Sequence, residues 1–209
     1  MSIPNLPRLA LLTVSDPQAA WDRIRALAIP LRERWLALIA TVALSTLCAW
    51  LLNHILGGAS QPGPPPGTDP ASDILAAMRT QLDRRPITFA GVQLAWTVVL
   101  VGIVTYVGRL FDGRARYEDV LLATVWMKLI LLGVQVVQLL VVPFSVGVAA
   151  LLAMAETILY LLLAVRLVQV VHGFRSPARV GLVMVIAFFV IIFALTLRLV
   201  LFGPTPPEL

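Results

Sequence analysis

Cysteine, histidine and charge are all scarce in this chain. One cysteine, Cys48, and two histidines, His54 and His172, occur in 209 residues. A lone cysteine excludes an intramolecular disulfide, and zinc or iron–sulfur binding would need a Cys/His cluster that the sequence does not hold. His54 and His172 sit near the ends of different apolar runs, where interfacial imidazoles are the ordinary reading. Charged residues make up 13% of the chain, about half the usual share of a soluble domain. Catalytic signatures are missing too. There is no G-x-x-x-x-G-K-[ST] phosphate loop, no H-E-x-x-H and no G-x-S-x-G nucleophile elbow. Ser145 has no histidine expected on its own side of the membrane. These gaps argue against an enzyme and against any cofactor or metal.

Long apolar runs are what the chain has instead. Five of them, near 35–56, 87–110, 120–142, 145–165 and 180–202, dominate a sequence that is 59% hydrophobic. As a helix, each of about 20 residues or more spans a ~30 Å hydrocarbon core. The expected fold is all-α, an integral membrane bundle of five transmembrane helices with an N-terminal interfacial amphipathic helix. The first run begins only at Trp35 and is too long for a signal-peptide core, so it reads as an uncleaved anchor.

Charge gives the runs a direction. Arg8, Arg23, Arg25, Arg32 and Arg34 precede the first run; Arg109, Arg114 and Arg116 follow the second; Arg166, Arg175 and Arg179 follow the fourth. That is eleven positive residues on one side, against Arg79, Arg84, Arg85 and Arg198 on the other. Cytoplasmic loops are enriched in Lys and Arg, so a cytoplasmic N-terminus and a periplasmic C-terminus in a bacterial inner membrane are expected. The pI near 10.3 does not indicate nucleic acid, because the arginines flank spans and form no stripe with interleaved aromatics.

The segments divide accordingly. Residues 1–34 form a cytoplasmic segment, 35–203 a membrane domain with an external Pro/Gly-rich loop at 57–86, and 204–209 an external tail. In the first, Asp16-Pro17 is a helix-start signal. Ala20, Trp21, Ile24, Leu27 and Ala28 follow near-helical spacing, which predicts an amphipathic helix with Trp21 at headgroup depth. A helix packed beneath the bundle is the alternative. Asp69-Pro70 starts a second short amphipathic helix, ending before Pro86.

Two ionisable residues stand out deep inside the runs, away from their ends, Lys128 in the third and Glu156 in the fourth. Pro143-Phe144-Ser145 joins those runs as a tight hairpin. Measured from Pro143 their depths differ by two residues, about 3 Å of helix rise, so they are expected to pair. Thr124, Lys128, Gln135 and Gln138 fall within an arc of about 80° at 100° per residue. Tyr160, one turn beyond Glu156, is placed to reach it. This intramembrane seam is either a polar pathway or interhelical glue.

Three stretches carry a family resemblance: LALLTVSDPQAAWDRI at 9–24, GRLFDGRARYEDVLLATVW at 108–126 and RLVQVVHGFRSPARVGLVMV at 166–185. Their order, with five spans and a cytoplasmic start, resembles the bacterial form of the Yip family, the Ypt/Rab-interacting multispan membrane proteins. The resemblance covers nearly the whole chain. It implies a five-helix bundle without catalytic residues. Eukaryotic members are implicated in vesicle traffic and in membrane recruitment of small GTPases, and carry an Asp-Leu-Tyr-Gly-Pro tract before the first span. No such tract precedes Trp35.

The expected function is a non-enzymatic membrane organiser or adaptor. Its expected partners, beyond the bilayer, are a membrane or peripheral cytoplasmic protein or anionic lipid. Its basic surface is Arg23, Arg25, Arg32, Arg34, Arg114, Arg116, Arg175 and Arg179, beside the loop at 112–119. The alternative is a small transporter or channel component using Lys128, Glu156 and Gln135, which a water-accessible cavity reaching Glu156 would favour.

Overall fold

The computed structural model describes residues 5–56, 78–174, 176, 180–182, 184–186, 189 and 193. Helices account for the regular structure, with no strand among the described residues. Leu6–Ser15 forms α1 and Pro17–Ala26 forms α2. Asp16 joins them: its backbone N–H donates to Leu12 O, and its carboxylate accepts from Ala19 N at 3.0 Å, with Pro17 opening the new helix. That is the capped, Pro-led start the sequence predicts. Ala28 turns the chain in the left-handed region, at φ 48, and Pro30 leads into α3, Leu31–Ile55.

The described residues 78–84 are helical and form α4. Then come α5, Pro86–Leu110, α6, Tyr117–Val141, and α7, Val146–His172. Glu118 and Asp119 occupy the first turn of α6, where negative charge suits the helix dipole. Ser145 caps α7 by accepting from Val148 N. Gly173 ends α7 at φ 70, and Phe174 N reaches back to Gln169 O, a glycine-dependent helix stop.

Four helices, α3, α5, α6 and α7, are long and apolar enough to cross a membrane among the described residues. At ~1.5 Å per residue each is more than 35 Å long. The fifth run lies mostly outside the described residues, although positions 180–182, 184–186, 189 and 193 are helical. The loop at 57–67 and the tail at 204–209 also lie outside them. α6 is the axis of the bundle, packing against α3, α5 and α7. Leu38, Val42, Val101, Leu121 and Val125 form the core between α3, α5 and α6. Ile39, Leu44, Val99, Val137 and Leu161 point outward, a surface that hydrocarbon solvates.

The N-terminal helices differ from expectation in two ways. An additional helix, α1, precedes the amphipathic one. Trp21, expected at headgroup depth, is only 4% exposed and packs with Leu9, Ala20 and Ile24 onto Trp126 of α6 and Leu163 and Leu167 of α7. The second helix thus lies beneath the bundle. The outward apolar residues belong to α1, where Leu11 is 72% exposed beside Leu6 and Val14. The fourth span also runs two turns past 165, because Arg166 is exposed at the helix surface and does not interrupt the backbone.

Candidate functional site

The densest polar cluster is built on the α6–α7 hairpin. Gln135 and Gln138 lie one turn apart on α6 and both aim at Glu156 of α7. Gln135 Nε2 donates to Glu156 Oε1 at 2.9 Å, and Gln138 Nε2 donates to Oε2 at 2.8 Å. Gln138 is 5% exposed, and Gln135 and Glu156 are half-buried, so this carboxylate is held by two amides. Hydrogen bonds to ionised groups are the stronger class, and between membrane helices such bonds fix register.

The expected direct pair of Lys128 with Glu156 is not formed. No carboxylate among the described residues lies within ion-pair distance of Lys128, and no described hydrogen bond engages it. Counted from Pro143 the two groups differ by only two residues, but the hairpin register sets Glu156 against Gln135 and Gln138, about two turns or more along α6 from Lys128. Tyr160 likewise makes no hydrogen bond to Glu156. Thr124 returns its hydroxyl to Val120 O at 2.8 Å, the usual back-bond of a helical threonine.

Lys128 and Glu156 nonetheless share a cavity. It measures about 450 Å³ and is lined by Ser45 of α3, Gln93 of α5, Lys128 and Gln135 of α6, and Glu156 and Tyr160 of α7. Ser45 was hidden in a run that reads as apolar; its signal is the adjacent Thr46, whose hydroxyl donates to Gln93 Oε1 at 3.0 Å. The side-chain carbonyl oxygen of Gln135 is buried with no donor among the described residues.

A second cavity, of about 230 Å³, is apolar and lies between α5, α6 and α7. Val101, Met127, Leu167, Val171, Thr124 and His172 are among the residues that line it. His172 is 1% exposed, and neither ring nitrogen has a hydrogen-bond partner among the described residues. Its ring lies so close to Gly108 that a Cβ there would collide with it. Its carbonyl accepts from Arg114 N at 3.1 Å. His54 is elsewhere, stacked on Trp50 at 5.5 Å. Among the described residues no three His, Cys, Asp or Glu side chains gather as a metal site.

The basic surface is only partly free. Arg23, Arg25, Arg32, Arg114 and Arg116 are exposed. Arg116 meets Glu118 at 3.6 Å, an exposed pair of small energetic weight. Arg34 is different: Nε donates to Ile29 O at 2.8 Å and Nη1 to Glu118 O at 2.7 Å. It ties the α2–α3 link to the start of α6. Arg175 and Arg179 lie outside the described residues.

A family model described as the Yip1 domain matches residues 11–198. No curated protein and no solved structure matches the chain.

Proposed function

This chain belongs to the Yip1 domain family, and on that premise we propose that it is a non-enzymatic membrane organiser whose cytoplasmic end is a fixed docking platform. The family is not one known for catalysis. The observation that carries the reading is the seating of α1 and α2. Leu9, Ala20, Trp21 and Ile24 are buried against α6 and α7, and Thr13 accepts from Trp126 Nε1 at 2.9 Å. The N-terminal segment is therefore part of the bundle, presenting Arg23 and Arg25 outward beside Arg32.

In this reading the chain has five spans, a cytoplasmic N-terminus and a bacterial inner-membrane location, supported by the arginine asymmetry. Each arginine near an anionic leaflet adds attraction of about 1 kcal/mol. The exposed leucines of α1 suit the acyl boundary. Together they hold the platform at the headgroups, where a peripheral protein can dock. Mild-detergent co-purification tests it. Wild type should retain a partner that R23E/R25E/R32E loses; retention of the same proteins by both would remove the platform.

The polar cavity favours a second reading, a small transporter or channel component. Polar groups from four helices converge at mid-span, which is a functional-site arrangement by default in a membrane. Lys128-dependent uptake of radiolabelled amino acids into proteoliposomes would establish it; uptake equal to empty liposomes would exclude it for those solutes.

A further inference from the structure

The cavity shared by Lys128 and Glu156 has a chemistry of its own. Its volume, about 450 Å³, lies within the ~300–1,000 Å³ range of small-molecule sites. Two formal charges line it, one of each sign. Glu156 has each oxygen engaged by one glutamine amide, which fixes its position and leaves a further acceptor site on each oxygen. Lys128 adds an ammonium without an acceptor among the described residues. The cavity thus holds a carboxylate with room for a further donor and an ammonium that lacks an acceptor among the described residues.

We propose that this cavity binds a small zwitterion. Its ammonium would sit against Glu156, and its anionic group against Lys128. A metal cation fits poorly, because Lys128 faces the same space. A simple anion meets Glu156 in turn. A molecule bearing both charges satisfies the two sides at once, and unmet charges at this depth are costly. Ser45, Gln93 and Tyr160 supply neutral polar contacts around the rest of the wall. The proposal deepens the second reading but concerns occupancy only: binding without flux keeps the site and removes transport.

The test is ligand-induced thermal stabilisation of the full chain in nanodiscs. The probes are the twenty common α-amino acids, glycerophosphoethanolamine, and the single-charge compounds propionate and ethylamine. At least one zwitterion should raise the unfolding midpoint saturably, by about 3 °C or more. K128M and E156Q should abolish that shift, and neither single-charge compound should reproduce it. A response to glycerophosphoethanolamine alone assigns the site to a lipid headgroup; a response to an amino acid assigns it to a soluble zwitterion. No saturable shift from any zwitterion in wild type overturns the proposal, as does a propionate shift of equal size. So does a zwitterion shift that survives in K128M.

Discussion

Trp126 Nε1 donates to Thr13 Oγ1 at 2.9 Å, joining the N-terminal half of α6 to α1 across 113 residues of sequence. Thr13 passes its own hydroxyl proton to Leu9 O at 2.9 Å. The indole is buried with Trp21, Ile24, Leu163 and Leu167. This bond and the apolar cluster around it together seat the N-terminal helices.

Thr13→Val should release that hold. It keeps the shape but leaves the Trp126 N–H buried and unpaired, at a cost of about 1–3 kcal/mol. Limited proteolysis should then cut within residues 1–30 faster than in wild type, while the spans stay protected. Thr13→Ser retains the oxygen and should restore protection.

Gly108→Ala should be harmful through His172. The added methyl meets the imidazole, and overpacking of this kind costs about 1–3 kcal/mol. The companion change His172→Ala opens the space. The double variant should regain thermal stability lost by Gly108→Ala, as read by the unfolding midpoint in detergent. Additive losses would show that the contact is not the cause.

Arg34 and Arg23 should behave unlike each other. Arg34→Met removes two bonds to backbone carbonyls, of Ile29 and Glu118, each a charged hydrogen bond worth about 1.5–3 kcal/mol. Arg23 is exposed, and Arg23→Met should stay within about 0.5 kcal/mol of wild type. Unfolding midpoints measured side by side distinguish them.

The polar seam should couple through glutamine. A double-mutant cycle on Gln138 and Glu156 should give about 0.6–1.7 kcal/mol. The same cycle on Lys128 and Glu156 should give markedly less, because their ion pair is absent. A larger coupling for Lys128 would mean that the ammonium, not the amides, holds the carboxylate.

Much of this was legible in the residues, for reasons that also show where legibility ended. Apolar length located α3, α5, α6 and α7 to within a turn, except the end of α7, where an exposed Arg166 marks a change of solvent and not of backbone. Depth counting put Lys128 and Glu156 near one level, and helical spacing put Gln135 and Gln138 on the face of Lys128. The count missed the register of the hairpin, because Glu156 meets α6 at Gln135 and Gln138, seven and ten residues beyond Lys128, or about 10 and 15 Å of helix rise. Asp16-Pro17 marked the start of α2, whereas α1 went unread, although Asn5 and Pro7 stand at its opening. Without α1 there was nothing to cover Trp21, and an uncovered tryptophan reads as an interfacial one. Arg34 looked like its neighbours because charge alone does not report backbone carbonyls within reach.

The measurement closest to the central claim is side-specific labelling of the platform. Cys48 is the sole cysteine, so Cys48→Ala with Arg23→Cys gives one exposed thiol. A membrane-impermeant maleimide should leave intact cells unlabelled and modify the protein fully once the inner membrane is permeabilised. Full labelling of intact cells would place the platform outside and contradict a cytoplasmic docking role.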